Sequence, residues 1–321
     1  MPRQSTRLSF AALALASITL ATAPSFAAGP LQTTSAPGYY RIMVGAYEVT
    51  ALSDGTVDLP VDQLLTNITP DAVKADLAAS FETTPLETSD NAFLINTGDK
   101  LILVDSGAGG LFGPTLGKLL SNLEASGYRP GQVDEVLLTH LHPDHVGGLV
   151  AEGKAAFPNA TVYAAKADAD YWLSQANLDA APDEQKGFFQ GAIASLQPYV
   201  DAGRLQTFEG SAEIAPGVHS MALPGHTAGH SGYLVESEGQ SLLIWGDVVH
   251  VEAIQFAHPD VTIGFDSDAG EAAGERAKAF ADVVEHGYLV AGAHLSFPGL
   301  GHVRKQGDAY QWVPANYSVM R

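Results

Sequence analysis

Residues 137–148 read LLTHLHPDHVGG. Three histidines and an aspartate fall between His140 and His145, directly after an apolar run. A short buried strand ending near Thr139 projects the following loop from a sheet edge, where His140, His142, Asp144 and His145 can turn inward together. Burying that density of imidazole and carboxylate without a partner is too costly to be a packing solution. The donor set suits zinc, manganese or iron. Pro143 stiffens the turn, and Gly147-Gly148 lets another backbone segment pass close by. One loop rarely completes a metal shell, so further ligands are expected elsewhere.

The same layout, an apolar run ending in a candidate ligand, recurs downstream. MALPGHTAGHSG places His226 and His230 in a glycine-rich turn, LLIWGDVVH ends in Asp247, and LVAGAHLSFPG ends in His294. Upstream, NAFLINTGDKLILVDSGAGG (residues 91–110) is a hairpin whose second strand ends at Asp105. YYRIMVGAYEVTALSD reads as a strand pair, and ATVYAAKADADYW as a strand followed by a helix. PTLGKLLSNLEASG places Leu116, Leu119, Leu120 and Leu123 on one helical face, and AGERAKAFADVVEHG is a helix stopped by glycine. Strands and helices alternate loosely with hairpins among them. The expected fold class is α+β, two mixed β-sheets with helices on the outside.

Composition narrows the function. Lys and Arg total 16 against 36 Asp and Glu, a formal net charge of -20 over 321 residues. Such a surface repels phosphate backbones, so a nucleic-acid partner is not expected. There are no cysteines, so any metal is held by histidine and carboxylate. Arg3 and Arg7, the apolar run from Leu8 to Ala21 and the small residues around Phe26 read as a secretory signal over residues 1–27, too short and alanine-rich for a membrane anchor. Residues 28–321 are expected to form one domain, periplasmic or secreted, with no membrane association after cleavage.

The ordered set HLHPDH, GHTAGH, the Gly-Asp at 246–247 and the late His294, preceded by Asp105 in LVDSG, resembles the metallo-β-lactamase superfamily. The resemblance implies an αββα sandwich and two divalent ions, zinc first, with manganese, cobalt or iron as alternatives. It implies one ion on His140, His142 and His226, a second on Asp144, His145 and His294, and Asp247 between them. Asp105 would steady the ligand loop, and His230 would bond to backbone or support a ligand. His219, His258 and His286 read as surface residues, and His302 as structural. The implied chemistry is hydrolysis by hydroxide shared between the ions, with Asp247 or Asp144 relaying a proton to the leaving group.

From about residue 40 onward the chain is similar to the methyl parathion hydrolase family, in stretches such as DSGAGGLFGPTLGKLLSNLEASGYRPGQVDEVLLTHLHPDHVGGL and AGAHLSFPGLGHVRKQGDAYQWVPANYSV. That resemblance implies an exported homodimer whose substrate pocket is walled by aromatics, here Phe112, Trp172 and Phe188. The departures are informative. Leu65 stands where organophosphate-efficient members have Arg, His250 where they have Leu, and Ile263 and Phe265 where they have Thr and Leu; APDEQKGFF is one residue shorter. These features resemble lactonase-type relatives that open aryl lactones such as dihydrocoumarin and turn over phosphotriesters weakly. The expected substrates are small lactones, esters or phosphotriesters. A dedicated organophosphate hydrolase, an acyl-homoserine lactonase and a non-catalytic metal-binding protein are the alternatives.

Overall fold

Strand alternation sets the layers. In Leu101–Val104, Leu101 and Leu103 face one way and Ile102 and Val104 the other, as the two-residue period of a strand requires. Leu94 and its neighbours Phe93 and Ile95 divide in the same manner on Leu86–Asn96. Both faces are apolar, so this sheet is covered on both sides. Ile102, Val104, Phe93 and Leu137 pack against Tyr233, Val235, Leu242 and Ile244 of a second sheet. The outward Leu94, Leu101, Leu103 and Val136 pack against Phe189, Ala192, Leu196 and Tyr199 of the helix Lys186–Asp201. On the far side, Leu243, Trp245 and Val290 pack against Ala279, Phe280 and Val283 of the helix Ala269–His286. The result is helix, sheet, sheet, helix.

The computed structural model describes residues 29, 31 and 33–319. The expected signal segment, residues 1–27, lies outside them. The described residues from 36 onward form one compact unit. Among the described residues no helix is long and apolar enough to cross a membrane. The first sheet runs, in spatial order, Tyr39–Val44, Tyr47–Leu59, Leu86–Asn96, Leu101–Val104, Glu135–Leu137, Thr161–Ala165, Leu205–Phe208. The second runs Glu213–Ala215, Val218–Ala222, Ser231–Ser237, Gln240–Ile244, Leu289–Ala291, Leu300–Gln306, Ala309–Pro314.

What positions the site is the parallel part of each sheet. Val104 pairs with Leu137 in parallel, and Leu137 with Tyr163. Ile244 pairs with Ala291 in parallel in the other sheet. Parallel neighbours end at the same edge, so the loops that begin at Asp105, Leu138, Trp245 and Gly292 emerge side by side.

Two expectations need correction. The helix expected over PTLGKLLSNLEASG is shorter, Leu119–Ala125. Gly117 has φ +78, and a Cβ there would lie 2.4 Å from the Gly109 carbonyl oxygen, so the chain ahead of the helix folds back on the glycine-rich loop instead of coiling. The helix expected at AGERAKAFADVVEHG begins earlier, at Ala269, because Asp268 caps it by accepting from the Glu271 N–H at 2.9 Å.

Candidate metal centre

The short turn Pro143–Val146 begins directly after His142 and lies tightly against the loop after Asp105. A Cβ on Gly148 would lie 1.8 Å from the Ser106 carbonyl oxygen, and one on Gly147 2.0 Å from that of Ala108, so only glycine permits the approach. Asp105, in left-handed backbone at φ 60, ties the two loops together. Its carboxylate accepts from the Thr139 N–H and hydroxyl, both at 2.8 Å, and from His145 Nδ1 at 3.0 Å. The Thr139 hydroxyl, committed as donor to Asp105, accepts from His140 Nδ1 at 3.1 Å. His294 Nδ1 donates to the Ser89 carbonyl at 3.0 Å, and His226 Nδ1 to Asp266 at 2.8 Å. Each of these four rings is thus oriented through Nδ1, which leaves Nε2 for the centre.

Two groups of ligand-type atoms result, each with all members within 4.8 Å of one another: His140, His142 and His226, and Asp144, His145, Asp247 and His294. Asp247 lies between them, its carboxylate 3.2 Å from His145 Nε2, 3.3 Å from His226 Nε2 and 3.1 Å from His294 Nε2. His140 Nε2, His145 Nε2 and Asp247 Oδ1 are buried without a hydrogen-bond partner. Buried polar atoms are normally satisfied, so three such atoms spread over the two groups fit cations held there. The donor set, imidazole and carboxylate only, fits divalent metal ions.

Electrostatics agree. Burial opposes the charge on Asp247, but the surrounding imidazoles, His145 and His294 foremost, hold its carboxyl well below the usual range. Burial also works against charge on His226 and His294, yet Asp247 and, for His226, Asp266 overcome it and raise each to about 9. Burial and neighbouring imidazoles push His140 and His142 down. His230 plays the supporting part expected of it. Its Nδ1 donates to the Leu223 carbonyl at 2.9 Å and its Nε2 accepts from the Asp247 N–H at 3.0 Å. Burial, with His226 nearby, lowers it to about 3, which keeps it neutral for that task.

The sequence pattern did not reveal several residues that hold the site. Asp168, on the helix Lys166–Trp172, accepts from the Leu141 N–H at 3.1 Å, the Thr227 hydroxyl at 2.8 Å and the Gly229 N–H at 2.6 Å. It therefore joins the loop of His140 and His142 to the loop of His226. Burial raises its pKa and the three donors oppose that rise. Asp266 orients His226, and Asp54 accepts from the Ala108, Gly117 and Leu119 N–H groups to shape the glycine-rich loop. A lone aspartate in a polar segment carries no mark of these roles in one sequence.

A cavity of about 250 Å³ opens over the centre. His142, Asp144, His226, Asp247, His250 and His294 floor it, and Val57, Leu59, Phe112, Leu116, Phe188 and Phe265 wall it. Asp90 also faces it, buried, with Oδ2 unpartnered. Phe112, Phe188, His250 and Phe265 are thus on the cavity surface. Three residues expected there are not. Trp172 is packed in the core behind His142, ring centroids 5.1 Å apart, and against Phe189. Leu65 and Ile263 pair with each other across two short strands and are buried in a satellite core with Val61, Val73, Val251 and Ile254. Their apolar side chains are better satisfied there than at a wet rim. His219, His258 and His286 lie at the surface, and His302, exposed, donates to the Tyr288 carbonyl at 3.0 Å.

Comparison with known proteins agrees with this geometry. Residues 87–313, more than half of the chain, match the metallo-beta-lactamase superfamily. The structure is similar to that of hydrolase AbOPH of the beta lactamase superfamily, with a TM-score of 0.85 and 38% identity over 89% of this chain and 100% of that one. It is similar also to AidC, a dizinc quorum-quenching lactonase, with a TM-score of 0.82 and 25% identity over 88% of this chain and 99% of that one. In sequence it is 24% identical to an N-acyl homoserine lactonase of Bacillus cereus over 57% of this chain and 69% of that protein. With the ligand cluster, the sandwich and these relatives in agreement, the chain belongs to the metallo-beta-lactamase superfamily, among its metal-dependent hydrolases.

Proposed function

We propose that the protein is a binuclear-metal hydrolase that opens aryl lactones and esters of the dihydrocoumarin type, with weak side activity on organophosphate triesters. The observation that carries the reading is the convergence of seven imidazole and carboxylate side chains at and beneath the floor of an aromatic-walled cavity. His140, His142 and His226 would hold one ion, Asp144, His145 and His294 the other, and Asp247 both. When bound, such ions supply Lewis acidity at the electrophilic oxygen and bring the pKa of a water toward neutrality. The chain's residues do the rest. The backbone N–H of Asp247 is fixed by His230, and the surrounding imidazoles keep its carboxyl ionised, as a ligand to cations must be. Asp144, the most solvent-accessible carboxylate of the cluster, is placed to pass a proton to the leaving oxygen. Phe112, Phe188 and Phe265 exclude water and favour a flat, apolar substrate over a tetrahedral one. That AidC and the Bacillus cereus relative are lactonases supports the lactone reading. The similarity of long stretches to the methyl parathion hydrolase family supports the side activity, and we extend the proposal to export and a homodimer.

The test is a panel of dihydrocoumarin, an N-acyl homoserine lactone and methyl parathion, with metal analysis of the purified protein. The expected order places dihydrocoumarin first. A clear preference for methyl parathion reverses the proposal in favour of a dedicated organophosphate hydrolase, and one for the homoserine lactone in favour of a quorum-quenching lactonase. Absence of turnover on all three, with metal bound, favours a non-catalytic protein.

A further inference from the structure

We infer that His250 is itself a metal ligand, joining His226 and Asp247 around the ion they share, on the cavity side of the centre. This rests on the reading of the centre as a cation site. His250, His226 and Asp247 bring their ligand atoms within 4.8 Å of one another, as compactly as the two groups described above. His250 is 3% exposed, and neither Nδ1 nor Nε2 has a hydrogen-bond partner. A neutral imidazole carries one N–H and one lone pair, and leaving both unmet in a buried place is costly. The ring is not there by looseness of the chain. Gln255, fully buried, accepts from the His250 N–H at 2.7 Å and the Val251 N–H at 3.0 Å and donates to the Val261 carbonyl at 3.0 Å. The imidazole is stacked on His294 with centroids 5.2 Å apart, and its Nε2 lies 3.2 Å from Asp247 Oδ2 without the alignment of a hydrogen bond.

Acting only as a shape-determining wall, His250 would need no nitrogen in either position, and an apolar side chain would do better. A cation gives one of those nitrogens a partner and draws on the carboxylate that already faces it. His226 and Asp247 belong to the inner groups as well. His140 does not face the cavity, whereas His226, Asp247 and His250 all do. An ion held by His226 and Asp247 can therefore take a further imidazole from the substrate side, which would fix the ion's position and its open face.

The experiment is titration of metal-free protein with Co(II), following affinity by chelator competition and the visible absorption bands of the bound ion, for the wild type and His250→Leu. Loss of a ligand is expected to weaken one Co(II) by about tenfold or more and to shift its visible bands. The metal-free His250→Leu protein is expected to melt no lower than the wild type, since it loses a buried unsatisfied ring. Weaker metal binding beside undiminished apo stability is the pair of signs that a mere packing role does not produce. Should the Leu variant not fold, His250→Gln, which keeps a polar donor atom, serves with the same expected band shift. Unchanged affinity and bands in a folded variant overturn the assignment while leaving the two-ion centre standing. A wild-type protein that takes up no Co(II) overturns both.

Discussion

Replacing Asp168 by Asn changes a single atom in size and shape very little, yet it should loosen both ligand loops. The carboxylate takes the Leu141 N–H and the Thr227 hydroxyl on one oxygen and the Gly229 N–H on the other. An amide offers one oxygen and one NH₂ group. With the oxygen toward Leu141, the NH₂ opposes the Gly229 N–H; turned about, it opposes the Leu141 N–H, while the Thr227 hydroxyl can rotate to accept. Every orientation leaves one buried backbone N–H facing a donor, a loss of about 1–3 kcal/mol. The bonds that remain are no longer assisted by charge and are about half as strong. The combined cost is about 2–4 kcal/mol of stability in the metal-free protein. Leu141 lies between His140 and His142, and Gly229 lies three residues after His226, so metal affinity should fall too, by about tenfold or more. Urea unfolding of the apo protein gives the first quantity and chelator competition the second. Thr227→Val, which removes the hydroxyl alone, should cost about 1 kcal/mol. An Asp168→Asn protein with the wild-type urea midpoint and wild-type metal affinity would refute the bracing role.

Further outcomes follow from the same geometry. Asp90 is buried with Oδ2 unpartnered, and burial, with Asp54 and Asp144 nearby, pushes its pKa well above the carboxylate range. Its folded form keeps a proton that the unfolded chain gives up, so apo stability should fall as pH rises through the window above 3.8; Asp90→Asn should flatten that slope and stabilise the apo protein at neutral pH by about 1–3 kcal/mol in urea unfolding. Metal uptake should release protons, because His226 and His294, each at about 9 without an ion, are protonated below that pH. Affinity should then drop by up to about tenfold per pH unit for each proton displaced, and calorimetry in buffers of different ionisation enthalpy counts those protons. His142→Ala, like chelation, should abolish turnover of any ester while the far-ultraviolet circular dichroism stays folded; residual metal-independent activity would contradict the centre. Phe265→Leu should open the wall beside His250 and Phe188 and move the ratio of rates toward methyl parathion, read as kcat/KM on that substrate and dihydrocoumarin.

The imidazole and carboxylate cluster was legible in the chain because its chemistry is local and costly. His140, His142, Asp144 and His145 stand on one turn, and no packing explanation accommodates such density. His226, Asp247 and His294 were legible because each ends an apolar run, and strands that end in one layer deliver their loops to one edge. The hairpin was legible from two apolar runs flanking the turn-forming residues 97–100, and ATVYAAKADADYW as a strand running into a helix, which the structure places at Thr161–Ala165 and Lys166–Trp172. Trp172, Leu65 and Ile263 were misplaced because an apolar residue reads the same whether it faces a cavity or a core one layer behind it; which side it takes depends on what the fold leaves free. Asp168, Asp266, Asp54 and Gln255 were silent because a hydrogen bond across tens of residues leaves no trace in local pattern. The sequence alone determined the ligand types and the sheet edge that gathers them. Only the tertiary structure decided which nitrogens face the centre, which carboxylates orient them and which rings close the cavity, because those choices are made by non-local contacts at 3 Å that no periodicity encodes.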